Sequence, residues 1–344
     1  MKILHIFFSF NRGGAETMLV DIMNEQIKTN SVSLLIINNL YCQSLIETID
    51  HNVKCYFINR TPGSLNLFKI FKLNKLIYYI NPDIIHCHDV NIINILWGVK
   101  AIKCATLHNV KSNTSYLKKY DAIFAISEAV KEYIKKYSNL EAKVIYNGIY
   151  PFLVKFGNRD ISLKKTYRIV QVGRLNTTIK GQHLIIQAIK QLSNEGYDIT
   201  LDLIGNGPSL LDLKEMVHEL NIENQVNFCG EKSRSELYEN LCNYDLLVQP
   251  SLYEGFGITI IEAMAAHIPV LVSNLPGPME VIDYGKCGYF FESENVDDLI
   301  MKIKEIMKKK SKSKLENAFS RVCLYFDISQ SAKDYIEIYH NLLK

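Results

Sequence analysis

Short apolar runs alternate with helix-period segments from one end of the chain to the other. Residues 3–8, 32–37, 55–58, 84–86, 101–107, 122–126 and 143–146 read as strands, and 15–27, 65–80 and 128–137 read as helices between them. After a pause the pattern resumes. Strands are predicted at 168–172, 200–204, 226–229, 245–249 and 270–272, with helices at 182–194, 209–220 and 258–267. Leu184, Ile185, Ala188, Ile189 and Leu192 make one stripe on the first of these helices. Strand then helix, repeated, predicts parallel βαβ units and doubly wound sheets.

The pause falls after Asn147-Gly148-Ile149-Tyr150-Pro151, and 151–165 has little periodicity, so it reads as an interdomain linker. Two α/β domains of similar size are expected to face each other across a cleft. They are 1–155, joined by a terminal helix at 329–344, and 166–328. Ala332, Tyr335, Ile336, Tyr339, Leu342 and Leu343 share one face of that terminal helix, which must pack on something. The lysine-rich stretch 302–314 reads as a solvated helix end and loop.

Composition narrows the class. The chain has 344 residues, 48% hydrophobic and 22% charged, so a disordered or fibrous protein is excluded. No apolar run approaches the 18 residues that a spanning helix needs. The first residues read as a core strand rather than a signal peptide, because no small-residue cleavage site follows them. The eight cysteines form no C-x-x-C pair, and reduced, mostly buried thiols of a cytoplasmic protein are expected. Residues 1–150 carry 17 Lys/Arg against 11 Asp/Glu, while 151–344 carry 22 against 25. The basic excess of the first half is too thinly spread for a nucleic-acid partner.

The stretch from Gln249 to Ala265 holds the most chemistry. A buried strand ends at Gln249-Pro250, a loop with Glu254, Gly255, Phe256 and Gly257 follows, and a helix opens near Ile258. The glycines let main-chain amides approach a ligand, and the helix start offers a positive end to an anion. Glu254 lies in the loop, while Glu262, about one turn into the helix, suits the diol of a ribose. After the 168–172 strand, Gly173 is followed by two cations six residues apart, Arg174 and Lys180. Arg grips a phosphate bidentately and Lys adds a point charge, so the pair suits a diphosphate.

Weaker signals accompany these. Gly13 and Gly14 make a glycine-rich turn after the first strand, but not the G-x-G-x-x-G of a dinucleotide site. Gly205-Asn-Gly207-Pro208 and Gly230-Glu231-Lys232 follow strands and suit main-chain contacts to a nucleobase. His86, Cys87, His88 and Asp89 suggest zinc by composition. Consecutive strand residues point to opposite faces, so the four do not converge and no metal is expected. His108, at a strand's carboxyl end, is placed to hydrogen-bond a ligand.

Together these motifs resemble the retaining glycosyltransferases of family 4, bacterial surface-polysaccharide type, which have the GT-B fold. Glu254 to Glu262 is similar to the family's E-x7-E motif, and Val172-Gly173-Arg174 with Lys180-Gly181, Leu203-Ile-Gly205-Asn-Gly207-Pro208, Val226-Asn-Phe-Cys-Gly230 and Tyr146-Asn147-Gly148 are also family-like. The resemblance implies transfer of a sugar from a nucleotide diphosphate donor with retention. By it Arg174 and Lys180 hold the diphosphate, Glu262 the ribose, and Glu254 with the Gly255–Gly257 amides the sugar, which His108 touches from the first domain. It implies no metal cofactor and a terminal helix that crosses back to an acceptor-binding first domain. The family's Gly-Gly turn is replaced by Leu275-Pro276-Gly277-Pro278. UDP-hexose or UDP-N-acetylhexosamine is the preferred donor and GDP-mannose the alternative; a sugar-nucleotide epimerase and a non-catalytic binding module are the rival classes. The acceptor would be a glycan or polyprenyl-linked oligosaccharide. Lys69, Lys72 and Lys75 in the apolar 65–80 helix raise weak binding to an anionic membrane at the cytoplasmic face.

Overall fold

The computed structural model describes residues 1–64, 66–157, 166–309 and 311–344. The chain divides into two compact units: Met1–Ile149 with Phe326–Lys344, and Tyr150–Tyr325. Each is built on a parallel sheet with Rossmann-like winding.

The first unit holds a seven-stranded sheet of order β3-β2-β1-β4-β5-β6-β7. Its strands are β1 (Lys2–Phe7), β2 (Ser31–Asn38), β3 (Lys54–Arg60), β4 (Ile84–Cys87), β5 (Ile102–Leu107), β6 (Ala122–Ala125) and β7 (Lys143–Val144). Their near-continuous apolar runs, such as Val32 to Ile37, follow from burial on both faces of a parallel sheet. The strand order reverses between β1 and β4, and such switch points open a crevice beyond the carboxyl ends of the strands. Strand β1 pairs with β4 so that His5 lies opposite His86.

The terminal helix Ile328–Leu342 belongs to this unit and buries Ala332, Tyr335 and Tyr339. It starts where Asp327 accepts from Ser329 N, and Ser331 Oγ donates to the Tyr146 carbonyl at 2.9 Å. The helix Leu67–Ile80 is capped by Asn66 and buries only Ile70, Leu73 and Ile77. Leu65, at which the sequence started this helix, lies outside the described residues.

The second unit holds a six-stranded sheet of order β10-β9-β8-β11-β12-β13. The strands are β8 (Tyr167–Val172), β9 (Ile199–Ile204), β10 (Val226–Gly230), β11 (Leu246–Gln249), β12 (Val270–Ser273) and β13 (Tyr289–Phe291). Here the order reverses between β8 and β11. The expected stripe on the Gln182–Asn194 helix is buried in the core beside Leu299, Ile303 and Ile306.

The structure differs from the sequence reading at several points. The 302–314 stretch is not a solvated end: the helix Val296–Lys308 carries a buried stripe of Leu299, Ile300, Ile303 and Ile306, and a second helix runs Lys312–Tyr325. The lysines occupy the outer face and hid the period. Strand β13 and the short helices Arg234–Asn240 and Pro276–Val281 were not anticipated. Of the expected linker, 158–165 lies outside the described residues. Its first part packs into the second unit, where Phe152 meets Phe319 edge-on and Lys155 pairs with Glu239 at 3.1 Å. Four cysteines, Cys87, Cys104, Cys242 and Cys287, are buried and four are half-buried, with all eight unbridged.

Candidate active site

In the second unit, the motif loops leave β8 and β11, the two strands that flank the switch point. The topology therefore brings together residues that lie 74 positions apart in sequence. Lys180 Nζ donates to Glu254 Oε2 at 2.5 Å. The two side chains are 23% and 14% exposed, so this pair is far better shielded from water than a surface ion pair.

The backbone explains how the pair is held. After β8 the chain makes one helical turn, Thr177–Lys180, capped by Asn176. Gln171 Nε2 donates to the Lys180 carbonyl at 2.9 Å. The Ile179 carbonyl accepts from Leu252 N at 2.8 Å and Tyr253 N at 3.2 Å, tying this turn to the β11 loop. Gly181 sits at φ +65°, and a Cβ there would lie 2.0 Å from the Pro250 carbonyl oxygen. Only glycine allows that approach of the two loops.

Arg174 follows Gly173 at the end of β8 and is exposed. Its carbonyl accepts from Gln182 Nε2 at 3.0 Å, which ties this loop to the start of the Gln182–Asn194 helix. Gly205 opens the loop after β9, donates to the Gly230 carbonyl at 2.8 Å, and passes so close that its Cβ would lie 2.0 Å from the Gly173 carbonyl oxygen. Gly257 caps the Ile258–Ala265 helix at φ +101°, with Gly255 and Phe256 buried beside it. Glu262 lies in that helix and is 5% exposed. The Leu275-Pro276-Gly277 turn packs on this loop, since a Cβ on Gly277 would lie 2.6 Å from the Gly255 carbonyl oxygen. Lys232 stands apart from this pairing: its ammonium lies 3.5 Å from Glu236, and it lines a cavity of about 250 Å³ with Arg168, Cys229 and Tyr244.

The remaining candidates belong to the first unit. Gly13 is the N-cap of the helix Gly14–Gln26. His108 directly follows β5, and its Nε2 lies 3.1 Å from His88 Nδ1. His5 Nδ1 lies 3.1 Å from His88 Nε2, and His5 Nε2 lies 2.8 Å from Gln26 Oε1. His86 bonds Tyr339 OH and, at 2.7 Å, Thr106 Oγ1. The His86 and His88 rings stack at 4.7 Å. Burial draws His5 and His108 down to about 4 and holds His86 and His88 well below the ordinary histidine value.

His5, His86 and His88 bring nitrogens within 4.8 Å of one another. All six of those nitrogens are engaged in the hydrogen bonds just described. Cys87 is on the other face of β4 near Tyr120, and Asp89 accepts from Asn91 N at 2.9 Å. His5 and Gln26 were missed in the sequence. His5 had a detectable signal, a histidine inside an apolar strand, whereas Gln26 had none.

The comparisons with known proteins agree with this architecture. The model for "Glycosyltransferase Family 4" matches residues 12–151 and that for "Glycosyl transferases group 1" matches 158–321. The chain is a member of the GT-B glycosyltransferases, with a family 4 first part and a group 1 second part. An uncharacterized glycosyltransferase of Methanocaldococcus jannaschii is 28% identical over 259 residues, 65% of this chain and 66% of that protein. The N-acetyl-alpha-D-glucosaminyl L-malate synthase of Bacillus anthracis is 27% identical over 236 residues, 65% of this chain and 60% of that one. The matched region thus spans just under two thirds of these curated relatives. Anabaena HepE, solved with UDP and glucose, has the same fold, with a TM-score of 0.85 and 22% identity over 99% of this chain and 100% of that one.

Proposed function

We propose that the protein is a retaining glycosyltransferase that moves a sugar from a UDP-hexose or UDP-N-acetylhexosamine to a glycan or polyprenyl-linked oligosaccharide, in polysaccharide synthesis. The observation that carries this reading is the Lys180–Glu254 pair at the switch point of the second sheet. It holds a cation for the diphosphate and a carboxylate for the sugar on adjoining loops. Arg174 adds the second cation, and Glu262 receives the ribose. The Bacillus anthracis relative, named for an N-acetylglucosaminyl product, and HepE with UDP support the donor class.

Charge grows on the departing diphosphate in the transition state, and Arg174 and Lys180 stabilise it where it forms. The released phosphate oxygen takes the acceptor hydroxyl's proton, so no protein base is required. Lys180 must exchange Glu254 for phosphate as the donor binds, which leaves the Glu254 carboxylate for the sugar hydroxyls.

Donor class and metal independence are read together in a thermal-shift panel of UDP, GDP and ADP, each with EDTA. Ligand at about 100 times its dissociation constant adds about 2.7 kcal/mol, a shift of a few degrees. A UDP-selective shift that survives EDTA is expected. A GDP-selective shift moves the donor to GDP-mannose, and no shift with any nucleotide removes the donor site.

We also propose weak docking on an anionic membrane through the Leu67–Ile80 helix, with the protein at the cytoplasmic face. Among the described residues no helix is long and apolar enough to cross a membrane. This helix exposes Phe68, Phe71, Tyr78 and Tyr79, at 58% to 81%, beside the exposed Lys72 and Lys75. Lys69 instead turns its ammonium to the Ile58 carbonyl at 3.1 Å. Each lysine near an anionic surface contributes about 1 kcal/mol. Co-sedimentation with phosphatidylglycerol vesicles is expected for the wild type and lost in the Lys72→Glu, Lys75→Glu double variant; a wild type that never sediments rejects the docking.

A further inference from the structure

A polar file of side chains runs through the core of the first unit. Gln26, His5, His88 and His108 are linked in series by contacts of 2.8, 3.1 and 3.1 Å, from the helix Gly14–Gln26 across β1 and β4 to the end of β5. Gln26, His5 and His88 are buried. At the far end, His108 Nδ1 is itself buried, and among the described residues it has no partner.

A chain of neutral imidazoles has a direction. Each ring carries one N–H and one lone pair, so fixing the first ring fixes the rest. A carbonyl oxygen can only accept. Gln26 Oε1 therefore requires the proton of His5 on Nε2, which leaves the His5 Nδ1 lone pair to accept from His88 Nε2–H. His88 Nδ1 then accepts from His108 Nε2–H. The direction emerges at His108 as a bare lone pair on Nδ1.

We propose that Gln26, His5 and His88 are positioning residues that set the tautomer of His108, so that its Nδ1 accepts a hydrogen bond from a hydroxyl of the donor sugar. The proposal rests on the reading of His108 as a sugar contact. A buried lone pair without a partner has a cost in the free protein, and a hydroxyl supplied by the sugar removes it. A sugar lacking that hydroxyl would leave the cost in place, which makes the relay a selector for hydroxyl over deoxy or alkylated positions. The burial that keeps all the rings neutral near pH 7 supports the scheme, since a charged ring would donate from both nitrogens.

The test is long-range nitrogen–proton NMR of the histidine-labelled full chain, without ligand, at pH 7.5. The expected spectrum has His108 protonated on Nε2. A proton on Nδ1 means that Gln26 donates rather than accepts and the file runs the other way, which overturns the proposal, as does a mixture of the two tautomers.

The Gln26→Leu variant removes the acceptor at the start and is expected to mix the tautomers; Gln26→Glu keeps an acceptor and is expected to preserve the wild-type one. A His108 tautomer that stays unmixed in Gln26→Leu overturns the role of Gln26. Binding of UDP-glucose and of UDP is then measured by calorimetry on the same proteins. Apparent affinity scales with the competent fraction, so half-inverted His108 weakens UDP-glucose about twofold and leaves UDP unchanged. A tautomer change with no effect on UDP-glucose overturns the sugar contact while leaving the relay itself standing, so the two failures are told apart.

Discussion

Arg174→Ala and Lys180→Ala are each expected to lower turnover by more than tenfold, and by as much as about a thousandfold, without unfolding the protein. Removing one preorganised donor to developing negative charge has effects of about that size in other enzymes. Tenfold needs only about 1.4 kcal/mol of barrier. Arg174 is exposed and no side-chain hydrogen bond to another described residue fixes it, so its loss removes charge but little packing. Lys180 is different. Its loss also leaves Glu254 without the ammonium 2.5 Å away. Lys180→Arg, which restores the charge with another shape, is expected to recover part of the rate. The measurement is initial-rate kinetics of donor turnover, with circular dichroism melts as the control for folding. Near-wild-type rates in both alanine variants would remove the diphosphate assignment.

Acid is expected to unfold the first unit well before carboxylates titrate. His5 and His108 fall to about 4 in the fold, and His86 and His88 lie well below the ordinary value, because burial penalises the imidazolium. In the unfolded chain each titrates near 6.5. Above that pH both states are neutral and nothing is lost. Between about 6.5 and 4 the unfolded chain binds protons that the folded one refuses, so stability falls as pH falls. Each such histidine contributes about 1.4 kcal/mol per pH unit. At pH 5.5 His5 and His108 together cost roughly 3 kcal/mol, a large part of the stability of many domains, and His86 and His88 act in the same direction. His183 and His267 in the second unit are partly buried and shifted in the same direction. Denaturant midpoints at pH 7.5, 6.5 and 5.5 are the check. A midpoint that holds steady over that range would show that the four rings accept protons inside the fold.

Much of this protein was determined by the sequence alone. Parallel winding was legible because strands buried on both faces are apolar nearly throughout, as at Leu34–Ile37 and Leu246–Val248. The loops proposed to hold the donor were legible because Gly173, Arg174, Lys180, Glu254 and Gly257 each follow a strand end, where a switch point places ligands. The helix Val296–Lys308 was not, since lysines on its outer face masked the stripe inward.

Only the tertiary structure decided which groups meet. That Lys180 pairs with Glu254 depends on β8 lying beside β11, an adjacency set by strand order over 74 residues of sequence. That His5 joins His88 and His108 depends on β1, β4 and β5 standing in that order, and on Gln26 reaching back from a helix. Spacing along a strand fixes which face a side chain takes. Register and strand order fix its neighbours, and those are properties of the folded sheet.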